Sequence, residues 1–403
     1  MGSGGDEASS AGRRTFSVVL CGFCAFLTLF ATQPLLPELA QIFNASKVRV
    51  SLTVTLGTLG VAITAPVIGA IADRFGRKRV IVWSAFLLAV STALAATATS
   101  LGALLVWRFV QGIFTPGVFA ITVAYIQEEW VGAGRGAATA AYVSGTVVGG
   151  FISRFLSGWI AAHSRWEMSF VALGLLGLIA SGGIAALLPR ERRFIRGDRG
   201  RREAAQDHLT NSSLVATYTI GFGLLFSMLG AFTYVTFYLA ADPFRLSPAS
   251  LGSLFFVYLF GAVITPNVGQ VIDKYGERKT IMFAGAVGLI GTLATLSHNL
   301  WVVVFGLACI CTGVFVSQSC TNSFIGTAAR HSKALAVGLY VTFYYVGGTL
   351  GSSLPGFLWS IGGWPACVAL FAAVQAGIIG VATIYWTDAH QHAETVALPI
   401  TPD

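Results

Sequence analysis

The sequence predicts an all-α membrane protein, twelve transmembrane helices arranged as two pseudo-symmetric six-helix bundles. Three observations lead there. Only 10% of the 403 residues are charged while 55% are hydrophobic, whereas a soluble domain carries about 25% charged residues. Apolar runs near the roughly 20 residues needed to cross a bilayer as a helix recur at 15–39, 49–72, 79–99, 102–127, 136–162, 166–188, 213–240, 248–272, 279–298, 300–326, 334–360 and 364–387. A charged motif that closes the second run returns 200 positions later, and a period near half the chain marks a duplicated domain rather than a solenoid of short repeats.

The first copy reads Gly69-Ala-Ile-Ala-Asp73-Arg74-Phe-Gly76-Arg77-Lys78-Arg79, and the second Gly269-Gln-Val-Ile-Asp273-Lys274-Tyr-Gly276-Glu277-Arg278-Lys279. Pro66 and Pro266 keep the same offset. Further on, Gly149-Gly150, Gly158 and Trp166 recur as Gly347-Gly348, Gly356 and Trp364 at an offset of 198. Span five therefore corresponds to span eleven, and Arg154 to Ser352. The halves are expected at 15–189 and 213–387, joined by a polar linker over 190–212. Tails at 1–14 and 388–403 are expected to be disordered because they bury too little apolar surface.

Each span then has a local reading. Span one ends in Gln33-Pro34-Leu-Leu-Pro37-Glu38, and two prolines there break its end and free carbonyls, tolerated where they face protein or a water-filled cavity. Gln33 is then either a cavity-facing polar group or a helix–helix hydrogen bond. Span four carries Arg108, Gln111, Gly112 and Thr115; span five is dense in glycine and serine around Arg154, the usual device for close helix packing in lipid. Span seven carries the stripe Phe232-Thr-Tyr234-Val-Thr236-Phe-Tyr238, suited to holding a flat solute or to packing and interface anchoring.

Charge placement decides orientation. With the N-terminus inside, 19 Lys and Arg fall on the inner side and only Lys47, Arg49, Arg165 and Arg245 on the outer side. That bias places both termini in the cytoplasm, with the lipid bilayer, not nucleic acid, as the basic chain's partner. All six cysteines lie within predicted spans and read as small apolar residues rather than metal ligands or a disulfide framework. No metal site, no cofactor and no G-x-x-x-x-G-K-[ST] phosphate loop is expected.

The halves, the central loop and the complete Gly69-x-x-x-Asp73-Arg74-x-Gly76-Arg77-Lys78 pattern resemble the major facilitator superfamily, with Arg108-x-x-Gln111-Gly112 similar to its span-four motif. The resemblance covers about residues 15–387. It implies a secondary transporter with no enzymatic activity, working by alternating access on a small-molecule substrate held near the midplane. Within the family the layout is similar to bacterial efflux carriers of the inner membrane, acting as monomers, with protons as a coupling ion. One departure is clear: the span-five neighbourhood Gly150-Phe-Ile-Ser153-Arg154-Phe-Leu-Ser157-Gly158 lacks the Gly-Pro pair common among proton-antiporting exporters.

The resemblance also places spans one, four, seven and ten around the cavity, which makes Gln33, Thr115, Tyr234, Tyr238, Gln318 and Asn322 candidate lining groups. Asp73 can cap the positive start of a facing helix, which the family makes span eleven. Arg77 can reach Glu128 or Glu129 at the end of span four. Together they would form a latch, or else only set topology. The second copy has Asp273, Gly276 and Arg278 but no acid at the end of span ten, so its latch should be weaker.

No acid sits mid-span; Glu38 and Asp242 lie at outer ends. A charge within a span costs several kcal/mol and marks a functional candidate. At 1.5 Å per residue, Arg108 lies roughly 10 Å and Arg154 roughly 12 Å inside the outer ends of their helices. Either binds an anionic group, exchanging with Glu38 or Asp242, or pairs with backbone carbonyls. Efflux of a small organic solute is the leading expectation, and organic-anion uptake or exchange through Arg108 and Arg154 the alternative. A membrane enzyme or non-transporting receptor is disfavoured because neither a convergent nucleophile–base pair nor a soluble module is visible.

Overall fold

A computed structural model describes residues 3–130, 133–191, 201–329 and 333–386. The expected C-terminal tail, residues 192–200 of the arginine-rich linker and the stretch before span eleven lie outside the described residues. Among the described residues every regular element is helical. In hydrocarbon the backbone must satisfy its own hydrogen bonds, and a helix does so within one segment.

Span one is α1 (Ser3–Phe26), an irregular stretch, a 3-10 turn (Gln33–Leu35) and α2 (Leu36–Ile42). Spans two to six are α3 (Lys47–Phe75), α4 (Arg77–Ala95), α5 (Leu101–Glu129), α6 (Ala133–His163) and α7 (Trp166–Leu187). A short helix α8 (Arg201–Thr210) precedes span seven, α9 (Ser212–Ala240). Span eight is α10 (Pro248–Ser253), a 3-10 turn (Leu254–Phe256) and α11 (Val257–Tyr275); spans nine and ten are α12 (Glu277–Ala294) and α13 (Leu300–Ala328). Span eleven is α14 (Lys333–Ser353) followed by the first residues of α15 (Pro355–Tyr385), which kinks at Gly362 and Gly363 so that its remainder forms span twelve. Seven of these helices are long and apolar enough to cross a membrane on composition alone. Spans one, five, eight, nine and eleven are interrupted or diluted by Gly, Ser and charged residues.

One expectation changes. Helix α1 already runs from Ser3, so the tail expected over 1–14 is helical from that residue on. Once a span has nucleated, each added residue fixes one more hydrogen bond at little cost. The polar linker holds α8, rich in the helix formers Arg, Glu and Ala.

The duplication is visible in the packing. Helix α1 packs on α6, α3 on α5, and α4 on both α5 and α7; in the second half α9 packs on α14, α11 on α13, and α12 on both α13 and α15. Close approach at the matched positions Gly149 and Gly347 requires glycine, since a Cβ would collide with the carbonyl of Phe23 or of Phe222. Gly76 (φ 91°) and Gly276 (φ 80°) make the matched turns between spans two and three and between spans eight and nine, a region that favours glycine. The halves meet through α3 against α14 and α6 against α10, again a matched pair. The end of the bundle with Gly76 and Gly276 is the motif end below; the end with Lys47 is the opposite end.

Candidate functional site

The site starts from the break in span one. Regular helix stops at Phe26, and the carbonyls of the next turn need donors that the chain no longer supplies. Ser157 on α6 donates to the Ala31 carbonyl at 2.8 Å. Arg108 on α5 supplies more: Nη1 donates to the Thr28 carbonyl at 2.9 Å, Nη2 to the Leu29 carbonyl, and Nε to the Thr53 carbonyl of α3 at 2.9 Å. Its Nη1 also bonds Gln111 Oε1, and Gln111 Nε2 reaches the Ser91 carbonyl of α4 at 3.4 Å. Arg108 is fully buried, and every guanidinium nitrogen has a protein acceptor. It ties α3 and α5 to the broken span, the backbone-carbonyl alternative of the sequence reading.

Arg154 on α6, also buried, is held differently. Its Nε donates to Gln33 Oε1 at 2.7 Å and its Nη1 to the Gly150 carbonyl of its own helix at 2.7 Å. Nη2 donates to no described residue, and no carboxylate pairs with this cation among the described residues. Instead three rings surround it, with Cζ 4.5 Å from Phe30, 4.8 Å from Phe255 and 4.8 Å from Tyr258. Each such cation–π contact is worth roughly 0.5–2 kcal/mol, yet a ring face accepts no strong hydrogen bond. Phe255 and Tyr258 belong to the second half, so the cation of one half sits in a cage built by both.

The side-chain hydrogen bonds between the halves lie around this cage and toward the opposite end, while Phe119 packs on Tyr345 on its motif side. Gln33 Nε2 donates to Thr233 Oγ1 of α9 at 3.3 Å. Tyr234 OH bonds Ser51 Oγ at 3.1 Å and the Ser352 carbonyl at 3.2 Å. Thr55 meets Ser352 at 2.9 Å and Thr58 meets Thr349 at 3.1 Å. Lys47 lies over the Trp359 ring at 5.2 Å. Gln33 is buried, and its side-chain amide joins Arg154 to Thr233 of the other half.

Other candidates fall elsewhere. Thr115 bonds its own helix at the Gln111 carbonyl. Tyr238 stacks on Trp364 and donates to the Ser297 carbonyl at 3.2 Å, a packing position. On α13, Gln318 is half-buried and Asn322 exposed. Glu38 is half-buried in a groove of about 350 Å³ between the halves at the opposite end, with Oε2 unpartnered. Exposed Asp242 pairs with Arg245. Neither acid bonds Arg108 or Arg154.

At the motif end, buried Arg77 pairs with Asp73 at 2.8 Å and Glu128 at 2.9 Å, the latter a two-pronged contact through Nε and Nη2. All three lie within the first half, and the facing helix α14 begins at Lys333. Gly69 is half-buried in the last turns of α3, Arg74 is exposed over Phe75, and Lys78 and Glu129 are half-buried. The Lys78 backbone N–H donates to Glu191 at 3.4 Å, so a linker acid caps α4. In the second copy Glu277 stands where Arg77 stands in the first, accepting from Ser323 at 2.9 Å. Asp273 is exposed and Arg278 half-buried, with no ion pair between them.

Comparison with known proteins decides the family. The Major Facilitator Superfamily profile matches residues 18–242 and 220–399. The chain belongs to that superfamily. As a superfamily transporter it is 30% identical over 359 residues to the MFS-type transporter YybF of Bacillus subtilis (strain 168), covering 88% of this chain and 89% of YybF. It is 29% identical over 364 residues to the inner membrane transport protein YnfM of Escherichia coli (strain K12), covering 89% and 87%. A crystal structure of a point mutant of the nucleoside transporter NupG superposes with a TM-score of 0.75 at 12% identity, covering 93% of this chain and all of that one, a likeness of fold alone.

The rings of the cage, the Glu191 cap and the Gln33–Arg154 bond escape sequence reasoning. The signal nearest to them is the pair of prolines beside Gln33, which marks where span one leaves the helix.

Proposed function

We propose that this transporter exports a small organic solute across the bacterial inner membrane as a monomer, by alternating access, with its motif end and both termini in the cytoplasm. The observation that carries the reading is the matched pair of seams between the halves, α3 with α14 and α6 with α10. At the opposite end the α3–α14 seam is held by hydroxyl contacts such as Thr55–Ser352 and Thr58–Thr349. Each is worth about 0.5–1.5 kcal/mol net, so the seam totals a few kcal/mol, a gap that a ligand with differential affinity can move. The 19-to-4 excess of Lys and Arg supports the orientation, and YnfM's inner-membrane name the location.

The arrangement closed at the opposite end is the inward-facing member of the cycle. In the other member, Asp73 caps the start of α14 while Arg77 keeps Asp73 and Glu128 aligned. Flux into proteoliposomes across a panel of neutral, cationic and anionic solutes, with and without an imposed pH gradient, tests the carrier and decides whether protons drive it. Gradient-dependent flux of at least one solute is expected; no protein-dependent flux of any solute overturns the reading. Asp73→Asn is expected to raise the accessibility of the cage from the motif end, and an unchanged inside-to-outside balance overturns the latch.

A further inference from the structure

We propose that the transported solute is a small aromatic carboxylate whose carboxylate takes the Nε–Nη2 edge of Arg154 and whose ring lies among Phe30, Phe255 and Tyr258. Its arrival displaces Gln33 and so releases the bond between Gln33 and Thr233 across the halves. This rests on the carrier reading above and specifies its substrate.

The argument is a donor count. A guanidinium presents five N–H groups in a planar fork that matches a carboxylate. Arg108 spends its three nitrogens on carbonyls and one amide oxygen, so it has no free edge. Arg154 spends Nε on Gln33 and Nη1 on Gly150, leaving Nη2 without an acceptor among the described residues. At a site only 3% exposed the charged group keeps little hydration, and the three rings leave its remaining N–H groups unfilled. Ser153, next in the chain to Arg154, and Thr32, next to Gln33, carry buried hydroxyls that also lack partners. The spare capacity is one charged fork with hydroxyls in neighbouring positions of the chain.

The class follows. A cation is repelled by Arg154, and among the described residues a polyanion finds no second open cation here because Arg108 is filled. A single carboxylate forms the strong two-pronged bond through two adjacent N–H groups, and with Nη1 held by the Gly150 carbonyl the edge it takes is Nε with Nη2. Nε is occupied by Gln33 Oε1 at 2.7 Å, and the same side chain reaches Thr233 of the other half at 3.3 Å. A carboxylate is the stronger acceptor, so binding and loss of the cross-half bond are one event. The aromatic body follows from the three faces, two supplied by the second half.

The test is titration calorimetry of the purified full-length protein at neutral pH with benzoate, 2-naphthoate and the neutral isostere benzamide. Saturable binding of the carboxylates is expected, with benzamide at least tenfold weaker. Arg154→Gln is expected to weaken the carboxylates roughly tenfold to a hundredfold, the range of a charge-assisted hydrogen bond, and Arg154→Lys, which keeps the charge but not the fork, by an intermediate factor. Gln33→Ala, which removes the competitor, should tighten them, a sign that a packing role for Arg154 does not produce. The proposal is overturned by no saturable binding of either carboxylate, by equal binding of benzamide, by wild-type affinity in either Arg154 variant, or by weaker binding in Gln33→Ala. Proteoliposome flux of neutral or cationic solutes without carboxylate binding would sink this proposal and leave the carrier standing; no flux of any solute would sink the carrier itself.

Discussion

Arg108 and Arg154 are both buried guanidinium groups on membrane-spanning helices beside the same broken segment of span one, yet they are opposites. Arg108 has all its nitrogens committed, three bonds going to the carbonyls of Thr28, Leu29 and Thr53. Arg154 keeps Nη2 open and rests on one side-chain amide, one carbonyl and three rings. A buried charge is costly wherever it sits. Where its hydrogen bonds are complete it serves the fold; where they are incomplete the missing partner is the informative part.

The largest expected effect is on the Arg108 side of that contrast. Arg108→Ala empties a large buried side chain and removes four hydrogen bonds that join the broken stretch of span one to α3 and α5, and should cost about 3–5 kcal/mol, read as a large drop in thermal unfolding temperature in detergent. Arg108→Lys should recover little, because an ammonium cannot span the broken stretch of span one, α3 and Gln111 together. Arg154→Gln should instead change stability by no more than about 1 kcal/mol, since relief of the buried cation's desolvation offsets its lost ring and hydrogen-bond contacts, while abolishing flux. If Arg154→Gln unfolds the protein as severely as Arg108→Ala, the contrast is broken.

The two motif copies sharpen the comparison on a smaller scale. Glu128→Gln should shift the balance of the two states by about 1–1.5 kcal/mol, less than the full value of a charge-assisted pair because Arg77 holds Glu128 in both members, read as changed cysteine accessibility at the motif end. Glu277→Gln, which keeps an acceptor for Ser323 but has no ion pair to lose, should shift it by less than about 1 kcal/mol. Smallest of all, Tyr238→Phe removes one hydroxyl bond to the Ser297 carbonyl and should cost about 0.5–1.5 kcal/mol of stability with flux kept; loss of flux there would restore it to the substrate path.

Much of the architecture was legible because hydropathy and repeat offset are properties of the chain in one dimension. The pairing of Gly69 with Gly269 and of Gly149 with Gly347 located the halves before any contact was known. Pro34 and Pro37 announced a break in span one, but regular helix already ends at Phe26, because Arg108 and Ser157 from other helices satisfy its carbonyls. The charges Arg108 and Arg154 were equally conspicuous in the sequence; only their partners separate them, and those arrive from distant positions. Phe255 and Tyr258 lie about a hundred residues from Arg154 and read locally as ordinary apolar filling. Glu191 was one charge among many in a polar linker until it met the start of α4.

The most direct measurement is exchange of labelled benzoate by proteoliposomes holding equal amounts of folded wild-type protein and Arg154→Gln. The account predicts rapid exchange by the wild type and background exchange by the variant. Equal exchange by both would contradict it.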